Sequence, residues 1–280
     1  MISNKYTINV NGSLVEIDHP LVMGIVNITP DSFFSGSRFV TEKEIIDRTQ
    51  QIIDEGGSIV DIGAYSTRPG AEYVDEATEK ARLKVALTVI RANFPEVIIS
   101  LDTFRAEIAR WTVEKYNIGI VNDISGGTLD EKMFQTVASL KVPYILMHMR
   151  GNPSNMNDYA VYNDVVKEVI FELSEKVDKL KEMGVSDIII DPGFGFAKTL
   201  EQNYQLLNKL EVFQFFDLPV LVGISRKSMI YRLLQTNPEQ AINGTTALNT
   251  IALLKGAKIL RVHDVKEAVE TVKIVSQLSR

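Results

Sequence analysis

Residues 187–191 read Asp-Ile-Ile-Ile-Asp, a short apolar run that ends in a carboxylate and precedes a helical stretch. The same arrangement occurs at seven other places, where an apolar run of strand length ends in polar residues. These runs are Leu21–Val26, Ser58–Ile62, Val97–Leu101, Gly119–Val121, Tyr144–Met147, Val220–Ile224 and Lys258–Leu260. Eight such units predict an α/β fold, a (β/α)₈ TIM barrel whose catalytic face lies where the strands end.

The first twenty residues carry a different pattern. Lys5–Val10 and Ser13–Ile17 alternate polar and apolar residues around Asn11-Gly12, the pair most typical of a hairpin turn. From residue 21 to the end, strand and helix signals alternate without a long linker. We therefore predict a single domain over residues 1–280, with an N-terminal β-hairpin at 1–20 and the barrel at 21–280.

Composition narrows the possible functions. The 280 residues are 45% apolar, which suits one barrel core, and 30 basic against 36 acidic residues leave a net charge of −6. That charge argues against nucleic acid or a membrane surface as a partner. The absence of cysteine excludes disulfides, thiolate metal sites and cysteine nucleophiles. Because the sequence contains neither a signal-like apolar core nor an apolar run of ~18 residues, we expect a cytoplasmic protein.

Two carboxylates stand where strands end. Asp191 either accepts hydrogen bonds from the following turn or faces the two parallel donors of a guanidine-like heterocycle. Asp102 either caps the next helix or balances positive charge that develops on a substrate ring. Of the pair Asn122-Asp123, one residue is structural, and the sequence leaves open which.

Cationic residues follow the last two strands. Arg261 and His263 fall on the same side of their strand because side chains alternate with a period of two, and together they suit an anion. Loops after the seventh and eighth strands often bind phosphate in barrels. Thr67-Arg68 extends this anion site. Lys227 is either a solvated lysine or a donor to a ring carbonyl or carboxylate.

Apolar residues near the same face complete the set. Met147 and Phe196 are either core residues or the walls of a slot for a flat ring. Gly223-Ile-Ser-Arg-Lys227 misses the nucleophile elbow, since lysine replaces its last glycine. The residues alone therefore indicate a barrel that binds a flat nitrogen heterocycle and an anionic leaving group.

Eight segments, in order along the chain, resemble the dihydropteroate synthase family of the folate pathway. They are Gly24–Phe33, Asp61–Gly70, Ser100–Thr103, Val121–Gly127, Met147-His148, Asp191–Phe196, Gly223–Ser228 and Arg261–Asp264. The resemblance implies that p-aminobenzoate displaces pyrophosphate from hydroxymethyl-dihydropterin pyrophosphate by a dissociative substitution. It also implies Mg²⁺ as the cofactor and a homodimer.

The resemblance assigns roles position by position. For the pterin it implies Asp102, Asn122, Met147, Asp191, Phe196, Gly223, Lys227 and Arg261. For pyrophosphate it implies Asn27, Ser66, Thr67, Arg68, Arg261 and His263, with Asn27 also on the metal. For p-aminobenzoate it implies Phe33, Pro69, Lys227 and Ser228. The residues expected to carry the reaction are Asp102, Lys227, Asn27 and Arg261.

The sequence departs from the family pattern at two points. Phe34-Ser35-Gly36-Ser37 replaces the usual Ser-Asp-Gly-Gly after Phe33, in one of the two long loops at 29–40 and 64–74. Ala197 stands where glycine is usual, which restricts the backbone. Neither departure touches the charged residues.

Three alternatives share parts of this pattern. A pterin-barrel methyltransferase has the carboxylates but has no need of Thr67-Arg68 or of the Arg261 and His263 pair. A Schiff-base aldolase would use Lys227 as its nucleophile. A non-catalytic pterin-binding paralogue is expected to lose Asn27, Lys227 or Arg261, and all three are present.

Overall fold

The computed structural model of the protein describes residues 5–29, 41–65 and 74–278. The chain begins with the predicted hairpin, in which β1 (Tyr6–Val10) pairs antiparallel with β2 (Ser13–Ile17). Asn11 and Gly12 both have positive φ, at 54° and 83°. Left-handed conformations at both central positions give a tight turn whose twist matches the two strands.

Eight parallel strands then form the predicted barrel. They are β3 (Leu21–Asn27), β4 (Ile59–Gly63), β5 (Ile99–Asp102), β6 (Ile120–Asp123), β7 (Tyr144–Met147), β8 (Ile188–Asp191), β9 (Leu221–Val222) and β10 (Ile259–Val262). The strand order is β8-β7-β6-β5-β4-β3-β10-β9. A parallel bridge between Ile190 and Val220 and a hydrogen bond from Ile190 N to Pro219 O at 2.9 Å close the barrel. The strand β9 covers only Leu221–Val222 and is therefore shorter than the apolar run Val220–Ile224 predicts.

Helices follow the strands and surround the barrel. They are α1 (Glu42–Asp54), α2 (Glu76–Asn93), α3 (Ala106–Tyr116), α4 (Met133–Leu140), α5 (Val165–Glu182), α6 (Leu200–Asn208), α7 (Ser228–Tyr231), α8 (Ile242–Leu254) and α9 (Val265–Gln277). Capping boxes begin α1 at Thr41 and α6 at Thr199, each satisfying backbone N–H groups that the first turn leaves unpaired. No helix in the described part of the chain is long and apolar enough to cross a membrane.

The hairpin closes the bottom of the barrel. Ile8, Val10 and Ile17 are buried against apolar residues near the start of the barrel strands. These strand residues are Met23, Ile59, Ile120, Ile145, Ile189, Leu221 and Ile259. Each fully buried side chain of this size contributes about 1.5–3 kcal/mol. Since this layer fills the lower interior, polar side chains that point inward are confined to the upper end.

Candidate active site

Strand register brings the predicted polar side chains to the upper end of the barrel. Asn27 lies beside Gly63, Gly63 beside Asp102, and Asp102 beside Asn122. Glycine suits position 63, because a Cβ there would lie in a tight contact of 3.2 Å with the Asp102 Cβ. Residues that are far apart in sequence thus become neighbours on one face.

The centre of this face is the partly buried guanidinium of Arg261, which two carboxylates share. Arg261 Nε donates to Asp61 Oδ2 at 2.7 Å, and its Nη2 donates to Asp102 Oδ2 at 2.6 Å. Asn122 Nδ2 lies 3.3 and 3.4 Å from the two carboxylate oxygens of Asp61. These residues come from four strands, so the contacts fix the relative positions of β4, β5, β6 and β10.

Two carboxylates against one guanidinium give this group an excess negative charge. Burial raises the pKa of Asp102; Arg261 opposes this rise, and nearby Asp61 adds to it. Although burial acts against it, the two carboxylates raise the pKa of Arg261. The pKa of Asp102 thus rises to about 7, so this carboxyl group titrates near neutral pH beside the permanent cation of Arg261.

Asp61 was not among the predicted site residues. Its side chain is fully buried, and it lies inside the apolar run rather than at its end. The signal that could have identified it is strand periodicity, because Asp61 is two residues before Gly63 and shares its side of β4.

The Asn122-Asp123 pair is resolved by the same periodicity. Asp123 is fully buried and accepts hydrogen bonds from Ser125 N at 2.7 Å, Gly127 N at 2.8 Å and the Tyr144 hydroxyl at 2.7 Å. These contacts make Asp123 the structural member of the pair. Asn122 points the other way, towards Asp61.

Asp191 and Lys227 form a second charged group. Asp191 is buried and accepts a hydrogen bond from Gly193 N at 2.8 Å. Lys227 Nζ donates to the carbonyl oxygen of Phe194 and lies 4.6 Å from the ring centroid of Phe196. Burial lowers the pKa of Lys227 to about 8, and Asp191 opposes that change. This lysine therefore carries most of its charge at neutral pH in an apolar setting.

The turn after β8 packs tightly against the end of β7. Gly193 has a φ of 72°, and a Cβ at this position would lie 1.9 Å from the carbonyl oxygen of His148. Only glycine fits such an approach. Ala197, in the same turn, adopts a φ of 47° despite its side chain and is fully buried beside Met147.

Apolar side chains form a small packed cluster beside this turn, and the flat-ring slot stays a prediction. Met147 is buried in a cluster with Ile124, Met149, Met156 and Ala197, and Phe196 packs against it. Gly223 leaves its side of the barrel open, since a Cβ there would be 3.8 Å from the Arg261 Cβ. Ser228 begins α7 directly after Lys227.

The junction between β3 and β10 forms the other side of the site. Asn27 and His263 line a cavity of about 430 Å³ there, together with Arg48 and Arg226. Arg48 Nε donates to Ile25 O at 3.3 Å, and its Nη2 donates to His263 O at 2.5 Å. Arg48 thus joins the two strands beyond the point where their regular pairing ends at Val262.

His263 is held by the loop after β9. Its Nδ1 lies 3.1 Å from Ser225 Oγ, which also accepts a hydrogen bond from the His263 backbone N–H at 3.1 Å. The two contacts with one serine hydroxyl fix the orientation of the imidazole. Arg226 makes a two-point ion pair with Asp264, at 2.9 and 2.6 Å.

Sequence comparisons agree with this geometry. Residues 23–263 match the family described as pterin binding enzyme. A dihydropteroate synthase from Escherichia coli (strain K12) is 40% identical over 267 residues, covering 94% of this chain and 93% of that enzyme. A dihydropteroate synthase from Synechocystis is 41% identical over 262 residues, covering 92% and 90%. The chain belongs to the dihydropteroate synthase family.

Solved structures of this family share the whole fold. Yersinia pestis dihydropteroate synthase in a sulfonamide drug complex superimposes with a TM-score of 0.90 at 35% identity, covering 98% of this chain and 99% of that one. The Xanthomonas albilineans enzyme with 4-aminobenzoic acid gives 0.90 at 35% identity, covering 98% of each chain. The same enzyme with 7,8-dihydropteroate gives 0.87 at 33% identity, covering 98% and 99%. The predicted family and barrel are confirmed.

Five residues that the resemblance assigns to the site lie outside the described residues. They are Phe33, Ser66, Thr67, Arg68 and Pro69. Across residues 5–29, 41–65 and 74–278, no group of three or more His, Asp or Glu side chains is arranged to hold a metal ion.

Proposed function

We propose that the protein condenses 6-hydroxymethyl-7,8-dihydropterin pyrophosphate with p-aminobenzoate, giving 7,8-dihydropteroate and pyrophosphate. The observation that carries the proposal is the Arg261 guanidinium bound by Asp61 and Asp102 at the barrel mouth, in a chain that belongs to the dihydropteroate synthases. Solved relatives that hold 4-aminobenzoic acid and 7,8-dihydropteroate support the same substrates.

In the proposed reaction the bond between the methylene carbon and the pyrophosphate oxygen breaks first. The electron pair leaves with pyrophosphate, and the dihydropterin delocalises the resulting cation. The amine nitrogen of p-aminobenzoate then forms the new bond to carbon and loses one proton. Asp102 stabilises the cation, because a carboxylate in a dry site interacts strongly with charge that appears only as the bond breaks.

We assign Asp191 and Asn122 to binding the edge of the pterin ring. One oxygen of Asp191 is engaged by Gly193 N, and the other can accept from the ring N–H groups. We assign Lys227 to the ring carbonyl. Met147, Phe196 and Gly223 complete the proposed slot, with apolar surface on one side and room on the other.

Pyrophosphate binding is assigned to Asn27, Arg261 and His263, joined by Ser66, Thr67 and Arg68. Mg²⁺ in proteins commonly keeps several waters and uses few protein ligands besides substrate phosphates. Asn27 would supply one amide oxygen to Mg²⁺, and the substrate phosphates and water would supply the other ligands. Bound Mg²⁺ would supply neutralisation of the leaving diphosphate. The p-aminobenzoate pocket is assigned to Phe33, Pro69, Lys227 and Ser228.

The proposal includes a homodimer. Helix α8 contains no charged residue from Ile242 to Leu254, although Ile251 and Leu254 are exposed. Leu233 and Leu234, in the segment that precedes α8, are also exposed. Such a surface favours a second copy of this chain over water. A cytoplasmic location stays a prediction.

The test is pyrophosphate release from hydroxymethyl-dihydropterin pyrophosphate with Mg²⁺, measured with and without p-aminobenzoate. We expect release coupled to dihydropteroate formation, and loss of most of it in Lys227→Ala and Arg261→Ala. Lys181→Ala, at an exposed position on α5, is the matched control. Pterin binding without product would contradict the proposal and favour the non-catalytic binder. Methyl transfer from methyltetrahydrofolate would favour the methyltransferase.

A further inference from the structure

Lys198 is a buried lysine that the reaction above does not use. Only 7% of it is exposed, and its Nζ lies 3.0 Å from each of three acceptors. Two of these are the carbonyl oxygens of Gly193 and Phe196, and the third is Nδ1 of His148. An ammonium has three protons to donate, so the site matches its donor capacity in full.

The contact with His148 defines the state of that histidine. Because Lys198 donates to Nδ1, this nitrogen carries no proton, and Nε2 donates to Glu172 Oε2 at 3.0 Å. Burial and the neighbouring ammonium lower the pKa of His148 to about 3, so the ring is neutral. Arg150 binds the same glutamate and holds it in place. The chain of contacts runs from the turn after β8 to helix α5.

The same turn carries the proposed pterin contacts. Lys198 binds the carbonyl of Gly193, whose N–H donates to Asp191, and the carbonyl of Phe196, whose ring faces Lys227. Asn203 on α6 holds the middle of the turn by accepting from Gly195 N at 2.7 Å. Lys198 is therefore placed to set the direction of both the N–H group and the ring.

Charge at Lys198 also acts on Asp191. The charged groups that bear on this carboxylate are Lys227 after β9, Arg261 on β10 and Lys198 in the turn, besides the Gly193 N–H. Burial lowers the pKa of Lys198 to about 7; Asp191 and Glu172 oppose this change, and Lys227 and Arg150 add to it, so the ammonium form dominates in acid. Burial raises the pKa of Asp191, and the three cations oppose that rise. Removing one of them must therefore shift Asp191 towards its neutral form.

We propose that Lys198 is a positioning residue for pterin binding, which orients the turn 192–197 and keeps the Asp191 carboxylate charged. The inference rests on the proposed function, because it assumes that Asp191 receives the pterin edge. A charged carboxylate accepts two parallel N–H donors, whereas a protonated one must turn a hydroxyl towards one of them. Loss of the ammonium at residue 198 therefore weakens the complex most at low pH.

The first experiment measures the Kd of 6-hydroxymethylpterin by fluorescence titration between about pH 4.5 and about pH 7.5. The variant is Lys198→Met, which keeps the length of the side chain without its charge, and Lys181→Met is the matched control. We expect the acid midpoint of binding to rise by about one pH unit in Lys198→Met, as for a carboxylate that loses a nearby cation. The control should keep the wild-type midpoint.

A second variant restores the charge chemically. The chain has no cysteine, so Lys198→Cys carries a single thiol. Alkylation in denaturant with 2-bromoethylamine forms an S–C bond, releases bromide and the thiol proton, and yields an ammonium close to the length of lysine. Iodoacetamide yields a neutral amide at the same atom. After refolding, the ammonium product should return to the wild-type midpoint and the amide product should not. If Lys198→Met does not fold, the two alkylated products provide the comparison in its place.

The outcomes separate the two proposals. Pterin binding by wild type, with equal midpoints for both alkylated products or for wild type and Lys198→Met, overturns the role of Lys198 and leaves the proposed function standing. Failure of the wild-type protein to bind the pterin at any pH overturns the proposed function itself, and the role of Lys198 with it. A shifted midpoint that the ammonium alone restores supports the proposal, since a merely structural lysine would not move the pH dependence.

Discussion

Replacing Asp61 by asparagine should separate activity from stability. The side chain keeps its shape and one acceptor oxygen, but its second oxygen becomes an N–H donor. That donor must face either Arg261 Nε, now 2.7 Å away, or Asn122 Nδ2, now 3.3 Å away, and both of these are donors themselves. Arg261 then pairs with Asp102 alone. The charge of Asp102 is taken up by this pair and is no longer available to stabilise the substrate cation.

The magnitude follows from these contacts. A hydrogen bond to a charged group contributes about 1.5–3 kcal/mol, and partial loss of the free charge on Asp102 adds to this. Together we expect about 3–4 kcal/mol less transition-state stabilisation, which is roughly a 10²–10³-fold lower kcat. The fold loses less, about 1–2 kcal/mol, because one guanidinium and one carboxylate remain as a neutral pair.

The assay compares pyrophosphate release at saturating substrates with urea unfolding of the same samples. Asp123→Asn is the matched control, since Asp123 is also fully buried but points away from the barrel interior and accepts from four donors. We expect that control to lose about 2–4 kcal/mol of unfolding free energy while its kcat changes little. An Asp61→Asn protein that keeps its kcat within about threefold, or about 0.7 kcal/mol, would refute the reasoning.

Three further outcomes test other parts of the structure. The Arg48→Met variant loses the hydrogen bonds that join β3 to the backbone of His263. In rate assays, the Mg²⁺ concentration that gives the half-maximal rate should therefore rise about tenfold, which corresponds to about 1.4 kcal/mol. Ala197→Gly should keep its unfolding free energy within about 0.5 kcal/mol in urea titrations, because relief of a left-handed alanine, about 1 kcal/mol, offsets the loss of a buried methyl group. The pKa of His148 is lowered by burial to about 3 from an ordinary 6.5, so the unfolded chain binds more protons between these values. The stability that neutral His148 contributes is therefore full above about pH 6.5. It is lost as the pH falls towards 3, by up to about 1.4 kcal/mol per pH unit. In urea unfolding, His148→Gln should show a flatter pH dependence than wild type.

Much of the fold could be predicted because strand ends are marked in the sequence. Apolar runs that end in a polar residue indicated strand ends, and Asn27, Asp102 and Asp191 identified three of them directly. The hairpin could be predicted equally well, since Asn11 and Gly12 adopt the left-handed backbone conformation of its turn at low energetic cost. Its location under the barrel depended on side chains that meet only in three dimensions.

The residues that sequence reasoning missed share a physical cause. Asp61 lies within an apolar run, where a carboxylate gains its stability from Arg261, 200 residues further on. Lys198 follows a glycine-rich turn and reads as a solvated lysine, yet its acceptors are backbone carbonyls that no residue type reveals. The choice between Asn122 and Asp123 likewise needed the pairing of β6 with its neighbours to fix which side faced inward.

The arrangement around Arg261 also bears on the order in which the chain assembles. The carboxylates Asp61 and Asp102 belong to early strands, whereas Arg261 lies 200 and 159 residues after them, on the last strand to be synthesised. A nascent chain that has folded through β9 therefore holds two acidic groups in its interior with no guanidinium between them. Docking of β10 between β3 and β9 then completes the cylinder and places the Arg261 guanidinium between the two carboxylates. A chain that ends before Arg261 therefore lacks both the strand that joins β3 to β9 and the cation that Asp61 and Asp102 share.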